Sequence, residues 1–419
     1  MTNLPQGWKM ETLGEILSSD KYSIKRGPFG SALKKSFFVE KGIRIFEQYN
    51  PINNDPHWKR YFISHEKFQE LEAFKATEGD LLISCSGTLG KIVELPKDTE
   101  MGIINQALLK IRLNNIKILN SYFIYYFNSP IMQEKILEST LGSAIKNIAS
   151  VKILKQIEIP LPPLKEQERI VGILDFTFSK IDENIKKAKE NLANIDELMQ
   201  SALQKAFNLL NDNTKENYQL PQSWKWKGLG EICFITDGTH KTPNYIETGI
   251  PFLSVKNISK GFFDLSDVKY ISLEEHNKLI KRAKPEFGDI LICRIGTLGK
   301  AIKISLEFEF SIFVSLGLLK PKVKIISDYL VYFLNSYFIE GWINNNKVGG
   351  GTHTAKLNLN ILEKCPVALP PLKEQEQIAS HLDSVFEKTK ALKELYTEEL
   401  KDYEELKQSL LDKAFKGEL

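Results

Sequence analysis

From Val171 onward, apolar side chains recur alternately three and four residues apart. Val171, Phe178, Ile185, Leu192, Met199 and Ala206 hold one position of a seven-residue repeat, and Leu174, Ile181, Ala188, Ile195, Ala202 and Leu209 hold the other. Such spacing draws one apolar seam along a helix and predicts a coiled-coil partner. Lys180, Asp182, Glu183, Lys186, Lys187, Lys189 and Glu190 fall off the seam, on a solvated face whose charges need no functional explanation. Pro162-Pro163 ends an extended stretch before the helix, and Glu166 and Glu168 sit where the helix dipole favours anions. A second helix is predicted from Leu372 to Phe415, carrying Leu382, Phe386, Leu392, Tyr396, Leu400, Tyr403, Leu406 and Leu410, with Thr389 and Lys393 interrupting a strict heptad.

The helices belong to a larger duplication. Leu4-Pro5-Gln6-Gly7-Trp8-Lys9 and Leu13-Gly14-Glu15-Ile16 return as Leu220-Pro221-Gln222-Ser223-Trp224-Lys225 and Leu229-Gly230-Glu231-Ile232. Gly79-Asp80-Leu81-Leu82-Ile83 with Gly87-Thr88-Leu89-Gly90-Lys91 returns as Gly288-Asp289-Ile290-Leu291-Ile292 with Gly296-Thr297-Leu298-Gly299-Lys300. Tyr125 with Asn128-Ser129 matches Tyr332 with Asn335-Ser336, the octad Leu161 to Glu168 recurs unchanged as Leu369 to Glu376, and Lys205-Ala206-Phe207 returns as Lys413-Ala414-Phe415. Ordered blocks of this kind mark two copies of one unit. Gly142-Ser143 and Gly351-Thr352 correspond only approximately, and Ala368 stands where Pro160 predicts proline.

Each copy is a globular part followed by a long helix. The expected fold is α/β (α+β), with globular domains at 1–160 and 213–368, a central helical region at 161–212 and a C-terminal one at 369–419. If the seams bury against each other, the second helix must run back along the first. The expected arrangement is an antiparallel pair with a globular domain at each end, related by a pseudo-twofold axis. A helix of roughly 40 residues spans about 60 Å, close to two turns of DNA.

Composition narrows the class. With 42% hydrophobic and 26% charged residues in 419, the chain is of ordinary globular type. The opening Met1-Thr2-Asn3-Leu4-Pro5 lacks a basic region before an apolar run, and no stretch of about eighteen apolar residues occurs, so a cytoplasmic protein with no membrane span is expected. Cys85, Cys233, Cys293 and Cys365 lie far apart without zinc-ligand spacing, which points to reduced thiols and no metal. The formal charge of +3 is too small to identify a nucleic-acid partner by itself.

The doubled Leu-Pro-Pro-Leu-Lys-Glu-Gln-Glu entry into a long helix, the Leu-Pro-x-x-Trp openings and Asp237-Gly238-Thr239-His240-Lys241-Thr242-Pro243 together resemble the specificity subunits of type I restriction-modification systems, over essentially the whole chain. The resemblance implies two target recognition domains, each reading half of a split, asymmetric sequence in double-stranded DNA. It also implies helical regions that set the spacing and dock two methyltransferase subunits, to which endonuclease/translocase subunits attach. No catalytic residue and no cofactor is expected in this chain.

Candidate DNA contacts follow from local chemistry. Lys21, Lys25, Arg26, Lys34 and Lys35 surround Gly27-Pro28-Phe29-Gly30-Ser31 with no acid in that window. Lysines there suit phosphates, and the planar fork of Arg26 suits a guanine edge. In the second copy Thr239, His240, Lys241, Lys256 and Asn257 occupy polar turns, and the Asn257 amide matches an adenine edge; a solvated loop or turn is the alternative in each case. Lys91 and Lys300 close matched glycine turns. The spacing there is wrong for a nucleotide-binding P-loop, which favours a strand-to-strand turn with a lysine near a phosphate. Three alternatives stand beside this reading. An adenine methyltransferase is disfavoured because Tyr49-Asn50-Pro51-Ile52 lacks the second proline and the aromatic residue its motif needs. The others are a coiled-coil scaffold without DNA and the recognition part of a related restriction-modification enzyme.

Overall fold

Leu81–Ser84 and Ile290–Cys293 are buried at every residue, and each lies inside a four-stranded antiparallel sheet. In the computed structural model, which describes residues 4–138, 148, 150–207, 222–350 and 355–419, the chain forms two units. One comprises Met1–Ala188 with Thr397–Leu419, and the other Lys189–Tyr396. Leu209, the Leu220-Pro221 opening, Gly142-Ser143 and Gly351-Thr352 lie outside the described residues.

In the first unit the sheet order is Ile24–Arg26, Leu108–Ile111, Leu81–Ser84, Ile92–Glu94. A five-stranded sheet is built around Ile43–Phe46, which pairs in parallel with Gly102–Ile104. Lys9–Thr12 pairs with Glu158–Leu161 and ties the start of the globular part to its exit. The second unit repeats the plan. Its four-stranded sheet runs Cys233–Asp237, Leu316–Pro321, Ile290–Cys293, Ala301–Lys303. A three-stranded sheet pairs Ile250–Leu253 in parallel with Ser311–Ile312, and Lys225–Gly228 pairs with Pro366–Leu369.

The sequence blocks that recur are the braces of this plan. Gln167 is fully buried at the start of the first long helix, Leu164–Ala206. Its Oε1 accepts from the Leu119 N–H at 2.8 Å, and its Nε2 donates to the carbonyls of Lys117 and Pro162 at 2.9 Å. Gln375, in the second long helix, Leu372–Lys416, does the same with Ile326 and Pro370. Asp80 accepts from the Thr77 N–H and from Arg112, and Asp289 from the Glu286 N–H and Lys320. Tyr122 donates to the Pro160 carbonyl and Tyr329 to that of Ala368. Because only the carbonyl is used, alanine serves where proline was expected.

Both long helices contribute to both units, and in each unit they run antiparallel. In the first, Arg169 reaches the Leu419 carbonyl and Lys407 reaches Asp182. In the second, Lys393 meets Asp196 at 2.5 Å, while Leu203 shares a core with Leu382. The seam of the first helix is as read, with Leu174, Ile181, Ile185, Ala188 and Ile195 buried. The second helix needs a correction. Thr389 does not interrupt its heptad but fills it, buried to 2%, with its hydroxyl donated back to the Val385 and Phe386 carbonyls. Leu392 and Leu406, read as seam residues, stand 39% and 45% exposed. Beside them, Lys393 and Lys407 make the ion pairs just described.

The ends of the helices are core residues. Leu411, Ala414 and Phe415 are buried in the first unit, where Phe415 meets the edges of Tyr122 and Tyr126 at 5.3 and 5.1 Å. Leu203 and Phe207 are buried in the second, where Phe207 packs on Tyr329 and Phe333. No described helix is long and apolar enough to cross a membrane. All four cysteines are free and buried, and burial pushes each thiol up to about 12, so they are inert packing residues.

Candidate nucleic-acid interface

Gly27 and Gly238 end matched strands at a point where no side chain fits. A Cβ at Gly27 would lie 1.8 Å from the Asn105 carbonyl oxygen, and one at Gly238 would lie 2.0 Å from that of Ile312. The chain therefore crosses the neighbouring strand at the same place in both units, and the residue before each glycine projects from the same sheet corner. That residue is Arg26 in one and Asp237 in the other.

In the first unit Lys25 and Arg26 lie on Ile24–Arg26. The Arg26 guanidinium sits 3.5 Å from the carbonyls of Ile148 and Cys85 and 5.4 Å from the ring of Phe29. Lys25 lies near the rings of Tyr22 and Phe74. Lys34 and Lys35 are exposed in the following turn, and Lys91 is exposed at the end of its glycine turn. That turn joins adjacent antiparallel strands, as does the one ending in Lys300. Gly87, Gly90, Gly296 and Gly299 all adopt positive φ there, a conformation that favours glycine.

In the second unit Thr239, His240 and Lys241 line one wall of a cavity of about 380 Å³, and Lys278 and Arg282 line another. Asp237, 1% exposed, lies at its base. Its carboxylate accepts from Arg282 and Arg294 and lies 3.1 Å from His240 Nε2. Burial alone would push this carboxyl up. The hydrogen bonds and charges of Arg282 and Arg294 outweigh burial and hold it below the usual carboxylate range. Arg294 is itself buried, with Nε donated to the Leu357 carbonyl at 2.9 Å.

Lys300 lies elsewhere, its stem crossing Gly261, where a Cβ would be 2.9 Å from Lys300 Cε. Lys256 is exposed in the same loop region. Asn257 does not suit the adenine-edge role expected of it. It is 4% exposed, its Oδ1 accepts from the Ser254 N–H at 2.9 Å, and its Nδ2 donates to the Asp264 carbonyl at 3.0 Å. Asn50 of the first unit is its twin, accepting from the Glu47 N–H and donating to the Asp55 carbonyl, both at 2.9 Å. Both asparagines brace the turn that follows a parallel-paired strand. The sequence reading missed Arg282, which lies far along the chain from Asp237 with no motif linking them. Asp237 stood in a quoted motif, but nothing in sequence marked it as buried.

Comparison with known proteins agrees with this plan. The family described as type I restriction modification DNA specificity domain matches residues 5–194 and 221–402. The EcoBI specificity subunit of Escherichia coli is 26% identical over 364 residues, covering 81% of this chain and 73% of the relative. The MjaVIII specificity subunit of Methanocaldococcus jannaschii is 25% identical over 356 residues, covering 82% and 79%. The crystal structure of the HsdS subunit from Thermoanaerobacter tengcongensis shares the fold with a TM-score of 0.62 at 22% identity, covering 99% of this chain and 98% of that one. A chain from a structural study of complex assembly and conformational transition of the type I R-M system gives 0.79 at 22% identity, with both chains fully covered. With the same fold plan built twice and the family matched in both copies, this chain belongs to the type I restriction modification DNA specificity family, as a specificity subunit.

Proposed function

We propose that each globular domain, 1–160 and 213–368, reads one half of a split, asymmetric DNA sequence, while the helical regions 161–212 and 369–419 fix the spacing between the halves. The observation that carries this reading is one frame with different chemistry at its matched corner. The braces at Gln167 and Gln375, Asp80 and Asp289, and Asn50 and Asn257 are common to both domains, whereas the matched corner position is Arg26 in one and Asp237 in the other. A common frame with divergent polar corners suits two different half-sites. Lys25, Lys34, Lys35, Lys91, Lys241, Lys256 and Lys300 serve as phosphate contacts, and Arg26, Thr239 and His240 as candidates near base edges.

The chain carries out no reaction of its own in this reading. Methyl transfer and cleavage belong to partner subunits: two methyltransferase subunits dock directly, and endonuclease/translocase subunits join through the complex, in the cytoplasm. The exposed members of the duplicated octad, Pro163, Lys165 and Glu168 with Pro371, Lys373 and Glu376, offer the same surface twice and support a ratio of two methyltransferase subunits to one.

Exchanging residues 213–366 for those of a relative tests the reading. N6-methyladenine motif sequencing should show one half-site changed and the other kept. A change in both halves would defeat the two-reader scheme. The scaffold alternative predicts no salt-sensitive DNA binding, whereas phosphate contacts predict a steep loss of affinity as salt rises.

A further inference from the structure

We propose that the cavity beside Asp237 seats a backbone phosphate of the DNA, with Arg282 as its principal ligand and Asp237 as the residue that positions Arg282. This rests on the DNA-reading function above and adds contacts on the wall opposite Thr239, His240 and Lys241.

The guanidinium of Arg282 is held along one edge. One terminal nitrogen donates to the Asp237 carboxylate, and its Nε donates to the Asp237 carbonyl at 3.3 Å. Its side chain is nevertheless 56% exposed, while that of Asp237 is 2% exposed. A buried carboxylate thus fixes an exposed cation at the cavity wall. An arginine already fixed in this way loses less conformational freedom when it binds a ligand.

The rest of the lining suits an anion. His240 is fixed from below by the same carboxylate. Thr239 fixes the opposite wall, its hydroxyl accepting from the Lys241 N–H at 3.2 Å and donating to the Lys241 carbonyl at 3.1 Å. Among the described residues no acid pairs with the Lys241 side chain, whereas Lys278 is held by Glu274 at 2.6 Å. The Asp237 carboxylate is already shared between two guanidiniums. What faces the cavity is therefore a set of donors from two walls, without a free carboxylate. Phosphate oxygens accept hydrogen bonds and carry charge, and fit such a lining. Among the described residues the first unit has Arg26 at the position of Asp237, and no carboxylate stands there.

The test uses the full-length chain and two duplexes, one carrying the methylation motif of this chain and one scrambled, titrated by fluorescence anisotropy over a range of salt. Arg282→Gln should weaken binding to both duplexes alike, by about five- to tenfold near 0.1 M salt, and lower the slope of log affinity against log salt by about one. Lys241→Ala should act in the same direction. If Asp237 positions Arg282, Asp237→Asn should lower the slope as much as Arg282→Gln does, and the double variant should be no worse than Arg282→Gln alone. A slope unchanged in Arg282→Gln, with wild-type binding still salt-dependent, would overturn the phosphate seat and leave DNA reading intact. A loss confined to the motif duplex would make Arg282 a base reader and overturn the assignment. Absence of salt-dependent binding by the wild type would remove the DNA-reading function itself.

Discussion

The corner formed by Arg26, Gly27 and Cys85 in the first unit and the corner formed by Asp237, Gly238 and Arg294 in the second share a backbone and differ in electrostatics. In the first, a guanidinium on the strand end rests on neutral carbonyls. In the second, a carboxylate takes that position and draws in one guanidinium from the turn after Ile290–Cys293 and another from the segment after Leu273–Leu279. The sheet below differs in the same sense: Lys110 is buried on Leu108–Ile111 with its ammonium donated to the Lys75 carbonyl, whereas Leu318 occupies the matched strand of the second unit. The difference teaches that the frame tolerates inversion of charge at the corner as long as its backbone crossing and braces are kept. Divergence is concentrated at the corner proposed for DNA contact, and sameness at the braces that hold the fold.

Four experiments can break or sharpen that comparison. The largest effect is expected at the helix ends. Phe415→Ala should cost about 3–5 kcal/mol and Phe207→Ala a similar amount, by loss of a buried aromatic side chain. Hydrogen exchange should place the loss of protection in the first unit for Phe415 and in the second for Phe207. A uniform loss over both units would show that the units do not unfold separately.

Next in size, Asp237→Ala should cost about 3 kcal/mol, because it leaves the buried Arg294 without its ion partner. Arg26→Ala, at the matched position, should cost no more than about 1 kcal/mol. Urea denaturation of both variants checks the contrast, and equal losses would refute it. The sign with pH follows from the depressed carboxyl of folded Asp237. Its contribution is present above the unfolded value of about 3.9 and is lost as pH falls through the lower folded value. Wild-type stability should therefore fall on acidification below about pH 4 by more than that of Asp237→Asn.

Gln167→Ala and Gln375→Ala should each cost about 2 kcal/mol, since each leaves buried backbone groups unsatisfied. Thermal melts giving the same loss for both would support a common brace. The smallest effect is expected for Asn50→Ala and Asn257→Ala, at about 1–2 kcal/mol each, with no change in the methylated motif. A changed base at one position of the motif in Asn257→Ala would restore Asn257 as a reader.

The duplication was legible because a brace leaves the same residue twice: Gln167 and Gln375 sit in an octad that recurs unchanged. The first seam was legible because each of its heptad positions is apolar. The second was misread at Thr389 because sequence shows a hydroxyl but not the helix carbonyls that satisfy it. Asn257 was misread for the complementary reason. An amide in a polar turn looks the same whether it faces solvent or is turned inward, and its likeness to Asn50 emerges only when the parallel strand pairs are aligned. Arg282 left no signal, because its relation to Asp237 is made by folding across 45 residues.

The closing of each core by the tail of the other copy also bears on how the chain is inherited. Phe415, from the second copy, completes the core around Tyr122, and Phe207, from the first, completes the core around Tyr329. Neither copy is self-sufficient. One copy made alone lacks the plug for its own core while presenting the plug for another, so two identical half-length chains should exchange tails and assemble as a symmetric pair. A gene that recombines must respect the same reciprocity, because a transplanted reading domain inherits the host's Phe207 and Leu382 as part of its interior. Crossovers that keep those contacts matched should leave both cores filled, and those that split them should not.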